Sequence, residues 1–198
     1  MSPPSWVLAS SIRLNLDRFA AEFSTAWSRL QSQFLKLECW QRYQEAVSNE
    51  SQAAYERGDI EAARELLERE AEADRPLYED IGRPGIEYAR VRLIQEPLTA
   101  YLRYELMAYR IRERLGERIE VVRCDSAVRL PNDESFDCLL FDEHTALIHD
   151  YGEGEVGRQT GGWVTHTPNV IGRLVATVAS FRSYAKPLGN YLGGTQPS

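Results

Sequence analysis

Apolar residues recur at three- and four-residue steps over 12–35: Ile12, Leu16, Phe19, Phe23, Trp27, Leu30 and Phe34, with Arg13, Asp17, Glu22 and Arg29 between them. That period puts the large side chains on one stripe and predicts a single amphipathic helix across the segment. A stripe so rich in aromatics must dock, either on the protein's own core or on a second copy. The run from Phe34 to Tyr43 continues as helix or passes into a short extended piece, and its pattern fits both. A second helical region spans 50–75. Gly58-Asp59 interrupts it, Asp59 is suited to cap the helix that follows, and Pro76 ends it. The stretch Ala53 to Leu67 has the look of half a tetratricopeptide unit, but one copy does not make a solenoid.

After the turn cluster Ile81-Gly82-Arg83-Pro84-Gly85 the periodicity changes. Residues 86–94 read as a strand carrying Arg90 and Arg92. Pro97 stands at the start of a helix reaching Leu115, Gly116 suits its end, and 118–124 read as a second strand. This strand–helix–strand unit is long enough for a right-handed parallel crossover. A polar loop follows over 125–135, then two strands, 136–141 and 146–151, joined by a tight connection, then a glycine-rich loop over 152–162. Thr167-Pro168 opens a last helix that stops at Lys186-Pro187. The expected fold is α+β: N-terminal helices packed on a small mixed β-sheet with one βαβ crossover and a C-terminal helix. Residues 1–11 are expected as a flexible N-terminus, 12–80 as a helical region forming one globular unit with the mixed region 81–190, and 191–198 as a flexible tail.

Charge adds one feature. The net charge is −7, and the whole of it falls within 50–80, which holds 11 acidic and 4 basic residues. That local acidic face repels phosphates and would suit a basic protein partner. With a sequence pI of about 5.1 and no basic patch, no direct nucleic-acid binding is expected. No apolar run approaches the roughly 20 residues that span a bilayer, and no signal peptide is evident. Cys39, Cys124 and Cys138 fit neither a zinc pattern nor a disulfide framework and read as reduced thiols in a cytoplasmic protein.

The chemistry-bearing positions converge on one helix. Leu98, Tyr101, Leu102, Leu106 and Tyr109 share a helical stripe, and Glu105 falls near its middle. A carboxylate there must find a partner or become protonated. Arg90 and Arg92 on the preceding strand, or Arg103 nearby, are the candidate partners. Arg90, Arg92, Tyr101, Arg103, Glu105 and Asp142 therefore form the candidate pocket or structural polar cluster. Asp142, Glu143, His144, His149, Asp150 and His166 include metal-ligating types, but their spacing matches no metal motif, so no metal is expected. Nucleophilic catalysis has no motif to support it, and the glycines at 152–162 are not followed by a phosphate-loop Lys-Ser/Thr. No cofactor is expected.

Phe34-Leu35-Lys36-Leu37-Glu38 followed by Tyr43, Gly58-Asp59 with its helix, Phe141-Asp142, and above all the segment from Arg90 through Pro97 and Tyr101 to Leu106 are similar to the motifs of DUF6879 proteins. The resemblance covers roughly 19–190. It implies an actinobacterial source and a genomic neighbourhood that often holds helix-turn-helix regulators, and it brings no activity, cofactor or catalytic residue with it. The expectation is a non-enzymatic regulatory or protein-interaction module, with a helix-turn-helix regulator as the candidate partner and a homodimer through the N-terminal helix as a further one. The alternative is a small-ligand-binding protein or enzyme with a pocket beside the helix 98–115.

Overall fold

A computed structural model describes residues 3–44, 49–124, 136–153 and 156–193. In chain order its elements are α1 (Ser5–Leu8), β1 (Ile12–Asn15), α2 (Leu16–Ser28), β2 (Gln33–Glu38), α3 (Glu50–Glu56), α4 (Ile60–Ala73), α5 (Arg75–Ile81), β3 (Glu87–Gln95), α6 (Ala100–Arg114), β4 (Ile119–Cys124), β5 (Cys138–Phe141), β6 (Thr145–Asp150), β7 (Gly161–Thr165), α7 (Pro168–Arg182), β8 (Lys186–Pro187) and α8 (Leu188–Gly193). The fold is α+β, built on one mixed sheet in the order β1-β7-β6-β5-β2-β3-β4-β8. β2, β3 and β4 run parallel to their neighbours in that trio, and every other pairing is antiparallel.

The expected long N-terminal helix is instead strand, helix and strand. Asn15 accepts a hydrogen bond from Arg18 N and starts α2, and the chain leaves the helix after Ser28. The apolar period is helical only within 16–28. Ile12 matches it by coincidence and is 67% exposed on an edge strand, while Phe34 lies inside β2. Pairing with β3 and β5 resolves the ambiguous run after Phe34 as extended. The sheet has eight strands and is not small. It also contains two parallel crossovers: β3–α6–β4, as expected, and β2 to β3 by way of α3, α4 and α5.

Asp59 caps α4 by accepting from Ala62 N, and Gly116 takes a positive φ after α6, both as expected. The glycine-rich segment hides a strand. At Gly162 an added Cβ would collide with Ile148 O and the Phe19 ring, so β7 needs glycine there to let α2 approach the sheet. The ends are partly packed: Val7 of α1 is buried, as are Leu188 and Tyr191 of α8. The loop expected at 125–135 and the tail beyond Gly193 lie outside the described residues.

Alternation along the central strands divides the core in two. Leu35, Leu37, Val91, Leu93, Leu140 and Ile148 point to the face covered by Ile171, Leu174 and Val178 of α7. Phe34, Tyr88, Leu139, Phe141 and Leu147 point to the opposite face, where Phe19, Phe23 and Trp27 of α2 meet them. On that same face Leu102, Leu106 and Tyr109 of α6 cover Ile94, Ile119 and Val121.

Candidate functional site

Period-two geometry sends Lys36 and Glu38 of β2, and Arg90 and Arg92 of β3, to the α2/α6 face along with Phe34 and Tyr88. The register sets Lys36 beside Arg90 and Glu38 beside Arg92. On α6 the spacing of Tyr101, Glu105, Tyr109 and Arg112 aims one helical stripe at these strands. Thr99 holds the start of that helix: its hydroxyl donates to Gln41 O at 2.6 Å and accepts from Leu102 N at 3.1 Å. Asp137, just before β5, His149 on β6, and Tyr151 and Gln159 from the following loop complete the wall of a cavity of about 210 Å³.

The cavity wall is a network of buried ions. Arg92 is 1% exposed and pairs with Glu105 at 2.8 Å, while its Nη2 also donates to Trp40 O. Tyr101 donates to the other oxygen of Glu105 at 2.8 Å. Arg90 donates from Nη1 to Glu38 at 2.9 Å and from Nε to Glu117 at 2.7 Å. Lys36 pairs with Glu38 at 2.8 Å, and Tyr109 donates to the remaining Glu38 oxygen. Burial pushes the Glu38 carboxyl up, but the charges of Arg90, Lys36 and Arg92 outweigh it and hold the group well below the usual carboxylate range. The same balance holds Glu117 down through Arg90 and Arg112.

Asp137 differs. Its Oδ1 accepts from Cys39 N at 2.6 Å and Trp40 N at 3.2 Å, and its Oδ2 accepts from Tyr151 at 2.8 Å. Burial still prevails over these bonds and over Arg92, and raises the group to about 6. His149 stacks on Tyr151 at a ring distance of 5.5 Å and meets Phe19 at a tilt, at 4.9 Å. Burial and the Lys36 charge lower it to about 3, so its ring is neutral at neutral pH. Burial pushes the Cys39 thiol well up, and Cys138 likewise, which makes both poor nucleophiles.

Arg112 is the exception in this network. It lines the cavity, yet its guanidinium makes no hydrogen bond and no ion pair within 4.0 Å among the described residues. The cavity is lined by four cations (Lys36, Arg90, Arg92, Arg112) and three carboxylates (Glu38, Glu105, Asp137), and a fourth carboxylate, Glu117, binds Arg90 from the adjoining space. What marks it is that each carboxylate is engaged while one cation is not. Chemically, the arrangement can hold an anion against a half-buried cation that has no partner of its own among the described residues.

Of the residues singled out from the sequence, the structure brings Arg90, Arg92, Tyr101 and Glu105 together. Arg92, not Arg103, is the partner of Glu105, and Arg103 lies exposed on the outer side of α6. Asp142 stands elsewhere, at the β5–β6 turn with φ 50, where it accepts from the backbone of Ser32 and Gln33 at 2.8 and 2.9 Å and from the Ser32 hydroxyl. Burial pushes its carboxyl up, but those bonds together outweigh it and hold the group below the usual range. Sequence reasoning missed Lys36, Glu38, Arg112, Glu117, Asp137 and His149 as site members. The alternation Phe34, Lys36, Glu38 was a signal for two of them, readable only once the segment is known to be a strand. Among the described residues no three of His, Cys, Asp and Glu converge in a way that would hold a metal ion. No helix among them is long and apolar enough to cross a membrane.

The profile of DUF6879, a domain of unknown function, matches residues 21–193, and the chain belongs to that family. A search of the curated proteins gave no match. Among solved structures the chain is similar to TrmBL2, an archaeal chromatin protein described as having a novel mode of DNA binding. The identity is 10% and the TM-score 0.43, over 89% of this chain and 52% of that one. It is also similar to Nuc from Salmonella typhimurium, a phospholipase D family member, at 9% identity and a TM-score of 0.45, over 85% of this chain and 89% of that one. Neither lends a residue role to this chain.

Proposed function

We propose that this DUF6879 chain is a small-ligand-binding module that takes an organic anion in the cavity between α6 and the β2–β3 strands, with Arg112 as the anion receptor. The observation that carries the reading is the unpaired Arg112 guanidinium in a wall where every other cation is ion-paired. Fixing Lys36, Arg90 and Arg92 with carboxylates before any ligand arrives keeps the walls rigid, and leaves Arg112 free to form a charge-assisted bond without breaking an existing pair. Ligand sites of this kind combine a preformed concavity with a few placed polar groups.

The reading moves the emphasis from a protein-interaction surface to the pocket. The aromatic stripe that suggested a second copy as partner packs on the chain's own sheet: Phe23 and Trp27 lie against Phe34 and Phe141 at ring distances of 5.1–6.5 Å. The test is thermal unfolding of the full chain with millimolar inorganic phosphate, phenylacetate or cyclohexylacetate. At least one anion is expected to raise Tm, and the shift is expected to vanish in R112Q. Absence of any shift, or an equal shift in R112Q, overturns the reading.

A further inference from the structure

A second compartment adjoins the polar cavity. It has a volume of about 460 Å³ and lies between α2, α5 and the sheet, and Lys36, Arg90, Arg112 and His149 border both spaces. Its walls are flat and aromatic. Phe23 and Trp27 stack at 5.5 Å, Phe34 and Tyr88 stack at 5.7 Å, and Trp27 meets Phe34 edge-on at 5.1 Å, so the four rings form one continuous aromatic wall. Trp27 is pinned as a wall because its Nε1 donates to Asp80 of α5 at 2.9 Å.

The buried polar atoms of this compartment without a hydrogen-bond partner among the described residues include the Tyr78 hydroxyl, Glu117 Oε2 and both ring nitrogens of His149, and the first two face ligand chemistry most directly. Tyr78 is 7% exposed and its hydroxyl makes no hydrogen bond. Glu117 is 3% exposed; its Oε1 accepts from Tyr88 and Arg90, but its Oε2 accepts from nothing. Leaving such atoms dry and unpaired is costly, and a protein that keeps several of them at one cavity wall has left them for something else to satisfy. Their demands are complementary. An ionised Glu117 only accepts, so it needs an N–H or O–H. The Tyr78 hydroxyl needs an acceptor. Burial and the Glu117 charge hold that hydroxyl protonated, up to about 12, which keeps it a donor.

Building on the anion-binding reading above, we infer that the ligand is a planar aromatic anion. Its ring lies in the compartment against this aromatic wall, a ring-edge donor meets Glu117, a ring-edge acceptor meets Tyr78, and its acidic arm reaches Arg112. A simple aliphatic acid satisfies Arg112 and leaves Tyr78 and Glu117 orphaned. A phenol hydroxyl satisfies both, as does the amide edge of an oxo-purine. The shared chemistry is a flat ring with a donor and an acceptor on its edge and an anion at the other end, supplied either by a phenolic carboxylate or by a purine nucleotide.

Calorimetric titration of the full chain with 4-hydroxyphenylacetate, phenylacetate, cyclohexylacetate and guanosine monophosphate tests this. Binding is expected to be at least about tenfold tighter for 4-hydroxyphenylacetate or the nucleotide than for cyclohexylacetate. Whichever of the two binds identifies the source. Y78F retains the shape of the side chain and removes a hydroxyl that has no protein partner, so it is expected to fold. It is expected to erase most of the advantage of the hydroxylated ring over phenylacetate. Quenching of Trp27 fluorescence by the bound ring is the second readout. If cyclohexylacetate binds as tightly as the aromatic acids and loses binding in R112Q, the aromatic inference fails and the anion site stands. If no probe binds with dependence on Arg112, the anion site itself fails. If Y78F leaves the hydroxyl advantage intact, the assignment of Tyr78 is overturned.

Discussion

Strands β2, β3 and β6 send alternate side chains to two covered faces, and the faces differ in what they bury. Under α7 the occupants are Leu35, Leu37, Val91, Leu93 and Ile148, apolar throughout. Under α2 and α6 the same strands bury Glu38, Arg90 and Arg92, with Lys36 and His149 half-buried, beside the apolar Phe34, Tyr88, Ile94 and Leu147. Folding alone explains the first face, since apolar burial is its main driving force. It does not explain the second, because paired buried ions are often no more stabilising than apolar residues of equal volume. The contrast separates residues that hold the fold from residues kept for what they can meet. The polar face must then be divided again, into ions that brace one another and groups left unengaged.

Breaking the brace should have the largest effect. Glu105→Ala leaves Arg92 charged, buried and without its carboxylate, and is expected to cost about 3–5 kcal/mol of unfolding free energy in denaturant titration. Replacing both partners together, as R92M with E105L, is expected to cost clearly less than E105A alone, because no orphaned charge remains. If E105A costs less than about 1 kcal/mol, the pair is not a strut and the division drawn on this face collapses.

Much of the α+β layout was readable from pattern, and the reason some was not is specific. The β3–α6–β4 crossover carried its own punctuation in Gly116, although the helix starts at Ala100 capped by Thr99 and not at Pro97, and Glu105 was found because it interrupts an apolar helical stripe. The segment Ile12 to Phe34 was misread because spacings of three and four residues do not show where a helix stops; the pairing of Ile12 with Val164 and of Phe34 with Tyr88 decides that, and both partners lie far along the chain. The same gap hid the site. Lys36 and Glu38 count as cavity residues only when β2 is a strand in register with β3. Arg112 looks like any surface arginine until its lack of a partner is seen. Asp142 is polar and conspicuous in sequence, yet it serves the turn before β2.

Two titrating groups on the polar face sharpen the comparison at a middle scale, because the apolar face has no counterpart. His149 is lowered to about 3, so the unfolded chain takes up its proton first as pH falls below 6.5, and stability is lost on the way down. Asp137 is raised to about 6, so the native state takes up that proton first, and stability is gained over the same descent. From pH 6 to 4.5 each effect amounts to about 2 kcal/mol, and they oppose each other. The wild-type contribution of the two is therefore expected to be nearly level in that window. In D137N, stability should fall by about 2 kcal/mol from pH 6 to 4.5, and in H149F it should rise by a similar amount. Chemical denaturation at those two pH values reads both slopes, and a shared sign in the two variants would contradict the assignment.

The smallest effect is expected at Arg112, and its smallness is the informative part. Removing Arg92 or Glu105 breaks pairs; removing Arg112 breaks none among the described residues. It is not inert, since it and Arg90 together hold Glu117 ionised, but the direct bond to Glu117 comes from Arg90 at 2.7 Å. R112Q is therefore expected to change unfolding free energy by less than about 1 kcal/mol, within the ordinary range for a substitution that touches no structural interaction. The same cavity would then hold one arginine whose loss damages the fold and another whose loss damages only binding. A stability loss of about 2 kcal/mol or more in R112Q would place Arg112 with the braces instead, and the polar face would have no cation left over to receive an anion.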